Sequence, residues 1–155
     1  MHAIDRRLAD LGIALPAPAA PLAAYVGHVV HGGTCVVSGQ LPLENGEVAV
    51  AGTLGAGVSV EDGARAARIC AINLLAQVRA ACGGDWARLE RCVRLGGFVA
   101  ATAHFTDHPA VINGASQLMV DALGEAGAHA RAAVGVASLP LGAAVEVEGT
   151  FALRA

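Results

Sequence analysis

Hydrophobic and polar positions along this chain follow two periods, one helical and one strand-like. Ile4, Leu8 and Leu11 recur at helical spacing over residues 3–11, and Gly12 follows as a stop. Leu15-Pro16-Ala17-Pro18-Ala19-Ala20-Pro21 is an extended Pro/Ala segment that joins this short helix to the main body. Residues 24–31 and 34–39 are β-rich runs around Gly32-Gly33 and read as a hairpin. Residues 41–57 hold Asn45-Gly46 among further glycines and a proline, which predicts a long loop with a small hairpin on Asn45-Gly46.

Ser59-Val60-Glu61-Asp62 supplies a capping serine and two acids for the first turn of a long helix. Its apolar positions Ala67, Cys70, Ala71, Leu74 and Val78 share a face, and it runs to about Cys82, before Gly83-Gly84. A strand over 91–101 follows. His104 to Pro109 reads as a turn, with Pro109 at the first position of a helix over about 110–124. Gly124 to Gly127 breaks that helix, and 131–138 and 144–153 are the last strands. The order α-β-β-α-β-α-β-β predicts an α+β fold, a mixed sheet covered by two helices on one face. Residues 1–22 are then an N-terminal helix and linker, and 23–155 the domain proper.

Composition adds one demand. Of 155 residues 55% are hydrophobic, 3% aromatic and 15% charged, so a lone subunit lacks the polar groups to cover itself. The uncovered sheet face makes the same demand, and burial between subunits answers both. The net charge of −3 argues against a nucleic-acid platform. Cys35, Cys70, Cys82 and Cys92 show no C-x-x-C spacing and read as small core hydrophobes. With no signal-like start and no run long enough to span a bilayer, a soluble cytoplasmic protein is the expectation.

Candidate chemistry lies in the last two strands. By period 2, Val134 and Val136 share one face of 131–138, and Arg131, Ala133, Gly135 and Ala137 the other. In 144–153, Val145, Val147 and Phe151 oppose Glu146, Glu148 and Thr150. If valine faces lie against the helices, Arg131 and Glu146 project together from the helix-free face. A guanidinium there grips a carboxylate through two parallel hydrogen bonds, and a glutamate holds water or accepts a proton. The competing reading is that the two simply pair with each other.

The other polar residues carry bland readings beside functional ones. His104 and His108 are four apart, but in a turn and without a third ligand, which argues against metal. His28 and His31 border the first hairpin as surface or interface groups. His129 shares the Arg131 face and either meets a ligand or sits on the surface. Asn113 either braces the second long helix or faces a cleft, and Tyr25 is a cleft-rim hydroxyl or an interface anchor. The glycines of 52–57 do not follow a strand into a helix and give no nucleotide signal.

Tyr25-Val26, Val37-Ser38-Gly39-Gln40-Leu41-Pro42, Val111-Ile112-Asn113, Ala130-Arg131-Ala132-Ala133-Val134-Gly135-Val136, Leu139-Pro140 and Val145-Glu146-Val147-Glu148 occur in this order. The set, over about residues 24–153, resembles the Rid family of reactive intermediate deaminases, also called YjgF-like and, by an older name, endoribonuclease L-PSP-like. The resemblance implies a chorismate-mutase-like (ferredoxin-like) fold and a homotrimer with clefts between subunits. It also implies cofactor-free and metal-free hydrolysis of 2-aminoacrylate-type enamines and imines to 2-keto acids and ammonia. On that resemblance Arg131 binds the substrate carboxylate, Glu146 positions water, and Tyr25, Gly39 (through its backbone N–H) and Asn113 line the cleft. Two departures stand out: Ala23-Ala24 replaces the family's Gly-Pro, and Arg131-Ala132-Ala133 its Arg-Ser-Cys. A binding protein for small carboxylates such as 2-keto acids fits the same residues. Ribonuclease activity is disfavoured by the acidic balance and few aromatics.

Overall fold

The computed structural model describes residues 1–155. Helix α1 spans Ala3–Asp10. Strands β1 (His28–His31) and β2 (Thr34–Gln40) form a hairpin that turns on Gly32 and Gly33 at φ 56° and 77°. That left-handed backbone is what glycine permits at no steric cost. Asn45-Gly46 closes a small hairpin of β3 (Leu43–Glu44) and β4 (Glu47–Val48), and β5 (Thr53–Leu54) pairs in parallel with β6 (Gly57–Val58). Helix α2 spans Val60–Ala81, and Ser59 Oγ accepts the Asp62 N–H at 3.1 Å as its cap. Then come β7 (Leu89–Ala100), α3 (His108–Leu123), β8 (Ala130–Val136) and β9 (Val145–Leu153).

The main sheet has the order β1-β2-β9-β7-β8. Its pairs are antiparallel except β7–β8, which α3 links, so the sheet is mixed and α+β as expected. Helices α2 and α3 cover one face. Under them lie Val145, Val147 and Phe151 of β9 with Leu95 and Val99 of β7, all fully buried. The two helices approach closely because Gly114 of α3 presents no Cβ to the Ala64 carbonyl of α2. Helix α1 lies against α3 and sinks Ile4 and Leu8 into the same core, while Trp86 donates its indole N–H to Asp5 at 3.0 Å. All four cysteines are buried and unpaired. Burial pushes the Cys35 thiol up to about 11 and the Cys92 thiol up to about 12. No helix is long and apolar enough to cross a membrane.

Three expectations need correction. The first strand begins at His28, not at residue 24, because Val26 and Gly27 give their carbonyls to Ser38 outside the ladder. The second long helix begins at His108, one residue before Pro109. The third concerns the face of β8. Arg131, Ala133 and Gly135 stand opposite Leu95, Gly97 and Val99 of β7, on the helix side. Val134 stands opposite Phe98 on the helix-free side and is 47% exposed. The reason is space: a Cβ on Gly97 would meet Ile112, and one on Gly135 would meet His108, both of α3. Helix α3 packs this closely only over small residues, so size and not hydrophobicity marks the helix side of this edge strand. Arg131 and Glu146 therefore lie on opposite faces of the sheet.

Candidate functional site

The sequence-predicted residues fall into two groups. The first gathers around a bulge in β2. Val37 pairs with Gly149 and Gln40 with Val147, so Ser38-Gly39 inserts an extra residue against β9. Ser38 Oγ donates to the Val26 carbonyl at 2.6 Å and its N–H to the Gly27 carbonyl at 2.9 Å, which brings Tyr25 alongside. Across the bulge, the Glu146 carboxylate lies where a Cβ on Gly39 would be, so the glycine lets that carboxylate rest directly against the β2 backbone. Tyr25, Gly39 and Glu146 line one cavity of about 50 Å³ with Gln40, Leu41 and Pro140.

Glu146 accepts no hydrogen bond from the protein and forms no ion pair, whereas its neighbour Glu148 lies 3.6 Å from Arg94 Nη1. Burial, and secondly the charge of Glu148, raise the Glu146 carboxyl above the usual carboxylate range. The folded state thus favours its protonated form. Its contribution to stability is present below the unfolded pKa and is lost as pH rises through the folded one. Glu146→Gln is accordingly expected to melt slightly above the wild type at pH 8, with the gap closing near about pH 4. Melting curves at the two pH values check this, and a lower Tm at pH 8 refutes it.

The second group sits on the other side of the sheet. Arg131 Nη1 donates to Ser116 Oγ at 3.1 Å, and Nη2 to the Pro109 carbonyl at 3.2 Å. His129 Nδ1 lies 2.6 Å from the Gly127 carbonyl and its Nε2 lies 2.9 Å from Ser116 Oγ. One tautomer satisfies the whole chain: Nδ1–H donates to Gly127, Ser116 O–H donates to Nε2, and Ser116 Oγ accepts from Arg131. His129 is thereby spent on bracing. Asn113, exposed, occurs between Pro109 and Ser116 at i+4 and i−3, on the same helical face. Of the five N–H donors of a guanidinium two are engaged, leaving three, and Arg131 pairs with no carboxylate of the chain. The reading in which Arg131 and Glu146 neutralise each other does not hold within the subunit.

Ser116 was not singled out by sequence reasoning. Its signal is the spacing Asn113-Ser116, which sets two polar side chains on the side of α3 whose Pro109 carbonyl also meets Arg131. No three His, Cys, Asp or Glu side chains gather in a way that could hold a metal ion. His108 instead packs edge-on against Phe105, with ring centres 5.2 Å apart.

Comparison with known proteins agrees with this architecture. Residues 5–151 match a family model described as YjgF/chorismate mutase-like, putative endoribonuclease. Protein TCP17 of Trypanosoma cruzi is 48% identical over 152 residues, 97% of this chain and 94% of that protein. The crystal structure of Atu1372 from Agrobacterium tumefaciens, a protein of unknown function, is 47% identical with a TM-score of 0.92, over 99% of this chain and 94% of that one. Escherichia coli TdcF, solved with bound serine, is 25% identical with a TM-score of 0.62, over 92% and 97% of the two chains.

Proposed function

The chain belongs to the YjgF/chorismate mutase-like family, and from that premise we propose that it hydrolyses small imine and enamine acids of the 2-aminoacrylate and 2-imino acid type to 2-keto acids and ammonia, in clefts between the subunits of a homotrimer. The observation that carries this reading is the Arg131 guanidinium, half-exposed at the sheet edge with three donors unspent and no carboxylate partner. Such a fork suits one small carboxylate. The serine bound to the related TdcF carries such a group.

Arg131 and Glu146 lie on strands separated by β7 and point away from each other, so one small molecule does not touch both within a subunit. A second copy resolves this by laying the Glu146 side of one subunit against the Arg131 edge of the next. The helix-free face favours such packing: Val29, Val36 and Val134 on it are 53%, 53% and 47% exposed. Arg131 and Asn113 of one copy then face Tyr25, Gly39 and Glu146 of another.

The chemistry asks for little. The iminium carbon is already electrophilic, and holding the carboxylate on Arg131 fixes it beside a water. Glu146 takes a proton from that water as its oxygen bonds to carbon. The C=N π pair moves to nitrogen as that bond forms, Glu146 returns the proton to nitrogen to give C–NH3+, and the C–N bond breaks as the new hydroxyl oxygen forms C=O; the ammonia released takes the hydroxyl proton and leaves as ammonium beside the keto acid. A carboxylate with a raised pKa is suited to both taking and returning that proton. A ribonuclease reading has less support, since the cleft side carries Glu146 and Glu148 and the net charge is −3.

The purified chain is expected to release ammonia from freshly generated 2-iminopropionate above the buffer rate, and to scatter light as three copies of 15.4 kDa. Background ammonia release together with calorimetric uptake of 2-oxobutanoate would replace this reading with that of a binding protein. A single-copy mass would remove the shared cleft.

A further inference from the structure

The largest cleft of the molecule lies at the far end of β8, among residues that carry no role so far. It holds about 430 Å³ and is lined mainly by Thr102, Phe105, His108, Gly135, Val136 and Ala137. Small-molecule clefts span about 300–1,000 Å³ and combine apolar walls with a few polar groups, here a hydroxyl and an imidazole. The walls are fixed by the backbone. Ala101 N–H donates to the Val136 carbonyl at 3.1 Å, Thr102 N–H to the Leu54 carbonyl at 3.0 Å, and Phe105 N–H to the Thr102 carbonyl at 3.2 Å. These bonds pin the loop between β7 and α3. Phe105 and His108 then meet edge to face at 87°. The His108 ring leans over Gly135, where a Cβ would lie 2.6 Å from Nε2.

Continuity with Arg131 says what the cleft receives. Arg131, Ala133 and Gly135 share one face of β8. Helix α3 links the parallel pair β7–β8, so it runs back along β8 in the opposite direction. Arg131 Nη2 reaches the Pro109 carbonyl, in the first turn of α3 and next to His108. The fork is thus directed along β8 toward the cleft, and on that face of the strand only the methyl of Ala133 stands between the two. From Ala133 to Gly135 is about 7 Å of strand, a length that a benzyl group spans. A molecule with a carboxylate at one end and a flat apolar group at the other matches this layout. Its acid sits on the guanidinium and its ring packs against Phe105 and His108.

We propose that the cleft beside His108 is a subsite for an aromatic side chain, so that this chain acts on 2-imino acids of the phenylalanine type, with Phe105 and His108 as specificity-determining residues. This rests on the deaminase reading and extends its substrate class. In 3-phenyl-2-iminopropionate the reacting carbon is bonded to the carboxylate carbon and stays beside Arg131. The ring lies one methylene further on, in the cleft and away from the water-activating side of the site.

The test compares kcat/KM for 3-phenyl-2-iminopropionate and 2-iminopropionate in the full-length wild type, His108→Ala and Ala137→Leu. The wild type is expected to favour the aromatic imine by about tenfold or more. His108→Ala removes a wall and Ala137→Leu fills the space, and both lower that ratio through a higher KM for the aromatic imine. Ala137 is exposed, so its enlargement does not threaten folding if His108→Ala does. A wild-type ratio of one or below, or a ratio unmoved in either variant that still turns over 2-iminopropionate, overturns the subsite and leaves the deaminase reading intact. Where turnover is absent, calorimetry with 3-phenyl-2-oxopropanoate and 2-oxobutanoate reads the same discrimination. Tighter uptake of the aromatic acid that weakens in Ala137→Leu supports the subsite. Equal affinities overturn it alone, and no uptake of either acid overturns both readings.

Discussion

Arg131→Ala is expected to slow ammonia release from 2-iminopropionate by about a hundredfold or more, because it removes two charge-assisted hydrogen bonds worth about 1.5–3 kcal/mol each. Arg131→Lys should recover only part of this, since an ammonium keeps the charge and loses the planar fork. The stronger form of the experiment uses the opposed faces of the sheet. Arg131→Ala and Glu146→Gln each spoil a different half of every cleft. In a trimer whose clefts take Arg131 from one copy and Glu146 from the next, a mixed assembly contains one intact cleft. Random mixing of equal amounts, with subunit exchange, then restores about a quarter of the wild-type activity from two inactive parents. Equal rates in wild type and Arg131→Ala would remove the guanidinium from the mechanism. Hybrids as inactive as their parents would place both groups in the same subunit's cleft or in none.

Gly114→Val is expected to be the most damaging single change to the scaffold. A side chain at this position runs into the Ala64 backbone carbonyl, which belongs to another helix and cannot swing aside as a flexible side chain would. Helices α2 and α3 must separate, and α3 carries Pro109 and Ser116, which hold Arg131. Overpacking of this kind costs about 3 kcal/mol or more, which for a domain of this size lowers Tm by about 6–12 °C. Asn113→Ala, one residue away and exposed, is the control and should stay within about 0.5 kcal/mol of wild type. Urea unfolding of the three proteins decides the matter; comparable losses in both variants would mean that the interhelical contact is not what limits stability.

Local signals made much of the fold legible in the sequence. Ser59 with Glu61 and Asp62 starts α2 where the capping pattern places it, and Gly32-Gly33 and Asn45-Gly46 turn the hairpins. Those features depend on residues close in sequence. The face of β8 does not. Which side of an edge strand meets a helix is set by how near that helix lies, and here Ala133 and Gly135 admit α3 while Val134 turns outward. A pattern of valines against alanines and glycines shows two faces and not which of them is covered. The same limit hid the separation of Arg131 from Glu146 and the brace that Ser116 and His129 build, both of which need the register of three strands and a helix. The bulge at Ser38-Gly39 was equally invisible, since an extra residue in a ladder leaves the period of its flanks unchanged.

The four cysteines have a practical consequence. Thiolate, not thiol, is the reacting species, and each sulfur here is both enclosed and held in its protonated state at neutral pH. Alkylating agents and peroxide therefore gain access to them only when the interior comes apart. Their rate of modification becomes an internal clock for that opening, distributed over β2, β7, α2 and the residue that ends α2.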